Sequence, residues 1–173
     1  MIQYGRKCFG RRRDLAGSTT KKAFVRRFDR EPLQAFVSPQ DYLKQNGIEV
    51  LTPAGSVLFV GYYDLKNVCF VKDFDSPGEP ARQFQTRPKM DGLWVRMKYR
   101  DGDVMDGILS NNLLQWDRYG YSVIPPEPYS NNQRVFVPRE ALTDIQILGV
   151  VGSPLTKGTR RKTVAEGQPT LFD

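Results

Sequence analysis

Histidine is missing altogether from the 173 residues. Its absence excludes Ser-His-Asp and Cys-His catalysis, imidazole-ligated metals and a histidine pH switch. Cysteine is nearly missing too: Cys8 and Cys69 are too few for a disulfide framework or for a zinc site of their own. No apolar run approaches the ~20 residues that a membrane-spanning helix needs. The opening stretch MIQYGRKCFGRRRD carries charge where a secretory signal carries an apolar core. Neither a GxGxxG loop nor a Walker signature occurs, and no nucleophile or paired-carboxylate arrangement stands out. The expectation is a cytoplasmic, non-enzymatic chain with no cofactor, no metal and no membrane contact.

What the chain does have is apolar content, 39% hydrophobic with 12% aromatic, enough for a packed core. It also has a net charge of +7, unevenly spread. Residues 1–21 hold Arg6, Lys7, Arg11, Arg12, Arg13 and Lys21 against Asp14 alone. Residues 154–173 hold Lys157, Arg160, Arg161 and Lys162 against Glu166 and Asp173. Residues 22–153 are neutral in sum, so the two ends supply the whole excess. A basic arm of this kind suits phosphate, and its six cations are candidate nucleic-acid contacts. A solvated, flexible terminus is the plainer alternative.

The middle of the chain repeats itself. Residues 23–38 (AFVRRFDREPLQAFVS) align with residues 95–110 (VRMKYRDGDVMDGILS) at an offset of 72. Residues 47–51 align with 120–124 at an offset of 73, and residues 57–71 (VLFVGYYDLKNVCFV) with 134–148 (RVFVPREALTDIQIL) at 77. Three blocks in order, with insertions only between them, indicate a duplicated unit. Each copy reads as five short strands. Leu93, Val95, Met97 and Tyr99 alternate with Trp94, Arg96, Lys98 and Arg100, a period of two. Asp101-Gly102 is a hairpin turn, and Gly107 marks a strongly bent return strand. That turn also accounts for the cluster Asp101, Asp103 and Asp106 without a cation. A single helical turn is expected at Ser38-Pro39-Gln40-Asp41.

Five strands joined by tight turns suggest a small closed barrel. The predicted fold is therefore all-β: two tandem five-stranded SH3-like or Sm-like barrels from an internal duplication. The expected boundaries are a basic arm 1–21, a first barrel 22–75, a Pro/Gly linker 76–91, a second barrel 92–153 and a flexible tail 154–173. A barrel of about 55 residues is marginal alone, so the two are expected to pack as an intramolecular pseudo-dimer. Trp94, Phe136 and Phe59 are the candidates for that contact.

The stretch VRMKYRDGDVMDGIL resembles the opening strands of the Sm/Hfq-like group. That resemblance implies nucleic-acid contacts in the loops after the second and fourth strands. The matching positions are Asn111 and Asn112 for a base and Arg139 for a phosphate, although neither family pattern is intact in SNNLLQWDRYG or VFVPREAL. In RRFDREPLQAFV, IEVLTPAG, VCFVKDF, RPKMDGLWVRM, YSNNQRVFVPR and ILGVVGSPL the chain is similar to a bacterial family that carries no assigned activity. The polar run Ser130-Asn131-Asn132 has no counterpart in the first copy. It reads equally as a recognition loop or as a self-capped turn.

The sequence closes on Gln168-Pro169-Thr170-Leu171-Phe172-Asp173. It resembles the Gln-x-x-Leu-Phe peptide by which bacterial polymerases and repair factors dock on the DNA sliding clamp. By that resemblance Gln168 bonds at the pocket rim while Leu171 and Phe172 fill the apolar pocket. Pro169 departs from the commoner Leu or Met. Two functions follow as expectations: an adaptor associated with nucleic acid or the replication and repair machinery, and, as the alternative, a protein-interaction or signalling module with no nucleic-acid contact.

Overall fold

The structure is a computed structural model and describes residues 20–75, 81–127 and 131–152. Eleven strands make it all-β: β1 (Lys21–Arg27), β2 (Leu33–Val37), β3 (Leu43–Lys44), β4 (Gly47–Leu51), β5 (Val57–Gly61), β6 (Leu65–Val71), β7 (Gly92–Tyr99), β8 (Val104–Leu109), β9 (Gly120–Val123), β10 (Asn132–Pro138) and β11 (Leu142–Val151). Two short 3-10 turns, Leu113–Gln115 and Arg139–Ala141, complete the elements. No helix among the described residues is long and apolar enough to cross a membrane.

One curled eight-stranded sheet runs β3-β4-β2-β1-β6-β10-β9, with β5 paired to β4, and a three-stranded sheet runs β11-β7-β8. All pairings are antiparallel. A single bridge, Ile108 to Ile124, ties β8 to the end of β9 and so joins the two sheets.

Local chemistry explains the turns. Gly102 takes φ +88° after Asp101, the positive value that the hairpin between β7 and β8 requires. At Gly107 a Cβ would stand 2.9 Å from Val123 Cβ, so glycine is what lets β8 lie close against β9. Residues 38–42 close one helix-like turn, Tyr42 N–H donating to the Ser38 carbonyl at 3.1 Å, but do not continue as a helix. The short strand β3 was not foreseen; Leu43 and Lys44 pair with Ile48 and Gly47.

Two apolar cores result, and both straddle the β6–β10 pairing. The first gathers Ala23, Val25, Ala35, Val37, Ile48 and Val68 around Phe136. The second gathers Val95, Met97, Leu109, Val123 and Val135 together with Phe24, Cys69 and Val71. Alternation along a strand is the cause: Phe136 points one way and Val135 and Val137 the other. Of the three expected contact residues, Phe136 is fully buried there. Trp94 packs edge-on against Phe84 instead, and Phe59 remains 54% exposed.

Candidate nucleic-acid interface

The end of β1 reads Arg26-Arg27-Phe28, followed by Asp29-Arg30 in the turn to β2. The β1–β6 register shifts between Arg26 and Arg27. Such a bulge re-aims side chains, and here both arginines reach one cleft of about 230 Å³. Arg26, Arg27, Arg30, Lys66 and Arg82 line it against a single acid, Asp103. Its remaining walls include Phe28, Pro32, Asn67, Tyr99 and Met105. Arg27 Nε is buried and makes no hydrogen bond among the described residues.

Two of the cleft's cations are ion-paired at its edge. Lys66 Nζ lies 2.5 Å from Asp101 and 2.6 Å from Asp103, and Arg82 lies 3.1 Å from Asp103. Burial works against the Lys66 ammonium, but the hydrogen bonds to Asp101 and Asp103 outweigh it and leave its pKa raised. The Lys66 hydrogen bond holds the Asp103 carboxyl below its ordinary value despite partial desolvation. Beneath them, Asn67 Nδ2 donates to the Tyr99 hydroxyl at 3.3 Å, and burial pushes that phenol's pKa well up. Tyr99 is therefore a neutral polar floor at any physiological pH.

Aromatic faces stand beside the charges. The Arg100 guanidinium lies 3.9 Å from the Phe28 ring centroid and 4.3 Å from that of Tyr63, and it donates to the Tyr63 carbonyl. The combination of guanidinium groups, which bind phosphate bidentately, with stacked planar surfaces is chemically suited to a phosphodiester carrying an unpaired base.

The residues singled out from sequence fall elsewhere. Lys21 lines a second groove of about 490 Å³ with Tyr42, Phe70, Asp117 and Arg134. Asn111 is exposed, and Asn112 caps the Leu113–Gln115 turn, its Oδ1 accepting from Leu114 N–H at 3.1 Å. Arg139 bonds the Tyr121 hydroxyl at 2.7 Å and stacks over that ring. Asn131 clasps the chain across β6: its Oδ1 accepts from Lys72 and Asp73 N–H, and its Nδ2 donates to the Asp73 carbonyl. Asn132 is buried at the head of β10, opposite Val71. Arg6, Lys7, Arg11, Arg12, Arg13, Ser130, Gln168, Leu171 and Phe172 lie outside the described residues. The acidic trio is divided: Asp101 and Asp103 hold Lys66, while Asp106 is fully buried and bonded to Arg96. The cleft residues were not anticipated; the one local sign of them is the run RRFDR, where cations flank an aromatic.

Fold and cleft together define an all-β chain with a basic, aromatic-edged recess between its two halves. A family model for a family of unknown function, DUF6982, matches residues 19–149, and the chain belongs to that family. No curated protein and no solved structure matches it.

Proposed function

We propose that this chain is a non-enzymatic adaptor that binds single-stranded nucleic acid, built from two tandem five-stranded barrels of the SH3-like or Sm-like kind. The observation that carries the binding reading is the meeting of Arg26, Arg27 and Arg30 with Phe28 in one recess. Phosphates satisfy the guanidinium donors, and an unpaired base, whose faces a duplex does not offer, extends the stack of Arg100 on the 72% exposed Tyr63.

The tandem reading rests on coincident registers. Ala23 faces Ala35 as Val95 faces Gly107, and Val25 faces Val68 as Met97 faces Ile145. Glu49 faces Phe59 as Ser122 faces Phe136, and Phe36 faces Leu51 as Ile108 faces Ile124. These four correspondences use the sequence offsets 72, 73 and 77 without adjustment. On this reading β6 and β10 form the seam of an intramolecular pseudo-dimer.

The basic arm, Arg6 to Lys21, extends the phosphate-binding surface, and the tail residues Gln168, Leu171 and Phe172 dock on a DNA sliding clamp. The adaptor would thus work in the cytoplasm at sites of replication or repair. Titration of a labelled single-stranded oligonucleotide with the full chain at low ionic strength tests the first part; saturable binding is expected, and its absence overturns it. For the tail, purified clamp is titrated with the full chain and with the Leu171→Ala, Phe172→Ala double variant. Binding by the first only is expected; equal or absent binding by both overturns the clamp reading.

A further inference from the structure

Among the described residues strand β5 pairs only with β4, and β11 only with β7, so within that set each presents one open edge. Open edges are normally blunted with lysine, proline or charge. β5, Val57-Leu58-Phe59-Val60-Gly61, has none of these, and β11 carries a single charge, Asp144. Large apolar side chains stand exposed on both: Val57 at 66% and Phe59 at 54% on β5, Ile147 at 61% on β11.

We infer that these two edges are the halves of one docking surface, and that its occupant is a second copy of this chain, joined head to tail. The inference rests on the tandem reading, because the complementary halves are already seen joined inside the chain. At the seam, Arg134 faces Phe70, Val135 faces Cys69 and Phe136 faces Val68. Applying the 77-residue offset to each strand sets Val57 of one copy opposite Ile147 of the next, Leu58 opposite Gln146, and Phe59 opposite Ile145.

The side chains agree with the backbone. Phe136 lies over Gly120, its Cζ 2.6 Å from where a Cβ would stand, and Phe59 lies over Gly47 in the same way at 2.8 Å. The outer face of Phe136 is covered by Tyr42, ring centroids 5.7 Å apart. The counterpart of Tyr42 at offset 72 is Leu114, which is 96% exposed. A second copy brings Phe59 onto Leu114 and buries both. Gln146 replaces Cys69 at the centre of the new pairing, and Arg96 replaces Phe24 beside it. The intermolecular seam is therefore more polar than the internal one, and association is expected to be reversible and concentration-dependent. The Arg87 side chain already bonds the Val150 carbonyl at 3.2 Å, beyond the segment that pairs.

Sedimentation of the full chain over a concentration series tests this directly, with Phe59→Glu and Ile147→Glu as edge variants. The wild type is expected to grow in size with concentration, and each variant alone to stay smaller. Mixing the variants is expected to give a 1:1 dimer and nothing larger, because one supplies an intact β11 edge and the other an intact β5 edge. Circular dichroism matching the wild type establishes that both variants fold; a variant that does not is replaced by Val57→Lys or Gln146→Lys at the same edge. A wild-type chain monomeric at every concentration, as it would be if another partner used these edges, overturns the inference, as does association that both variants leave unchanged. The internal seam that serves as the template fails separately, if Phe136→Ala leaves the stability of the monomer intact.

Discussion

Phe136 meets Tyr42 edge to face, ring centroids 5.7 Å apart at an interplanar angle of 83°. The two residues are 94 positions apart in sequence, and Phe136 is the β10 member of a core otherwise made from residues 23–68. The ring thus reaches across the β6–β10 pairing into the other half of the molecule. Removing it leaves a cavity that neither half can fill alone. Phe136→Ala should cost about 3–5 kcal/mol in denaturant unfolding. Phe59→Ala, at a ring that is 54% exposed, should stay within about 0.5 kcal/mol when measured on dilute chain.

Gly120 lies under the same ring. A Cβ there would stand 2.4 Å from the Val137 carbonyl oxygen and 2.6 Å from Phe136 Cζ. The backbone cannot give way without breaking the β9–β10 pairing, so Gly120→Ala should lower the unfolding midpoint clearly. Gly149 has open space around its Cα, and Gly149→Ala is the matched control. Thermal melting of both variants should show a loss for the first and little change for the second.

Arg96 and Asp106 predict an asymmetric pair of mutants. Arg96 Nε and Nη2 donate to the two Asp106 oxygens at 2.8 and 3.1 Å. The carboxylate side chain is 0% exposed, whereas the arginine side chain is 40% exposed. Without Asp106 the guanidinium still reaches water; without Arg96 the carboxylate is left buried and unpaired. Arg96→Met should therefore cost about 3 kcal/mol or more, and Asp106→Asn distinctly less. Equal losses in chemical denaturation would mean that the pair is not buried in this one-sided way.

The Lys66 cluster sets a pH limit. Asp103 has its pKa lowered from 3.8, chiefly by the Lys66 hydrogen bond. Its contribution to stability is present above that ordinary value and is lost as pH falls through the lowered one. Lys66 has its pKa raised from 10.5, so its contribution is present below that value and is lost as pH climbs through the raised one. Between the two limits Lys66 and Asp103 are both charged. Asp103→Asn should lower the denaturation midpoint at neutral pH, and the variant and wild-type curves should converge in acid. A gap that persists to the acid limit would remove Asp103 from this role.

The strands were legible because their signals are local. The alternation through 93–99, the Asp101-Gly102 turn and the placement of Gly107 each depend on a few neighbouring residues, and all appear where expected. The cleft was not legible. Arg26, Arg27, Arg30 and Lys66 sit in a segment of zero net charge, and Arg82 lies in the linker. Only the β1–β6 pairing, its bulge, and the path of residues 81–84 over the β7–β8 hairpin bring them together. Asn131 illustrates the reverse case. A polar amide in a loop suits recognition and capping equally, and only the position of Lys72 and Asp73 across the seam shows what its side chain bonds.

The salt dependence of single-stranded nucleic-acid binding tests the proposed function most directly. It should be measured for the full chain and for the Arg27→Ala, Arg30→Ala double variant, so that the basic arm is common to both. Each phosphate neutralised adds about 0.7 to the slope of log affinity against log salt. The account predicts weaker binding by the variant, with a slope shallower by about 1.4 if each arginine takes one phosphate. A variant with the same affinity and the same slope as the wild type would contradict it.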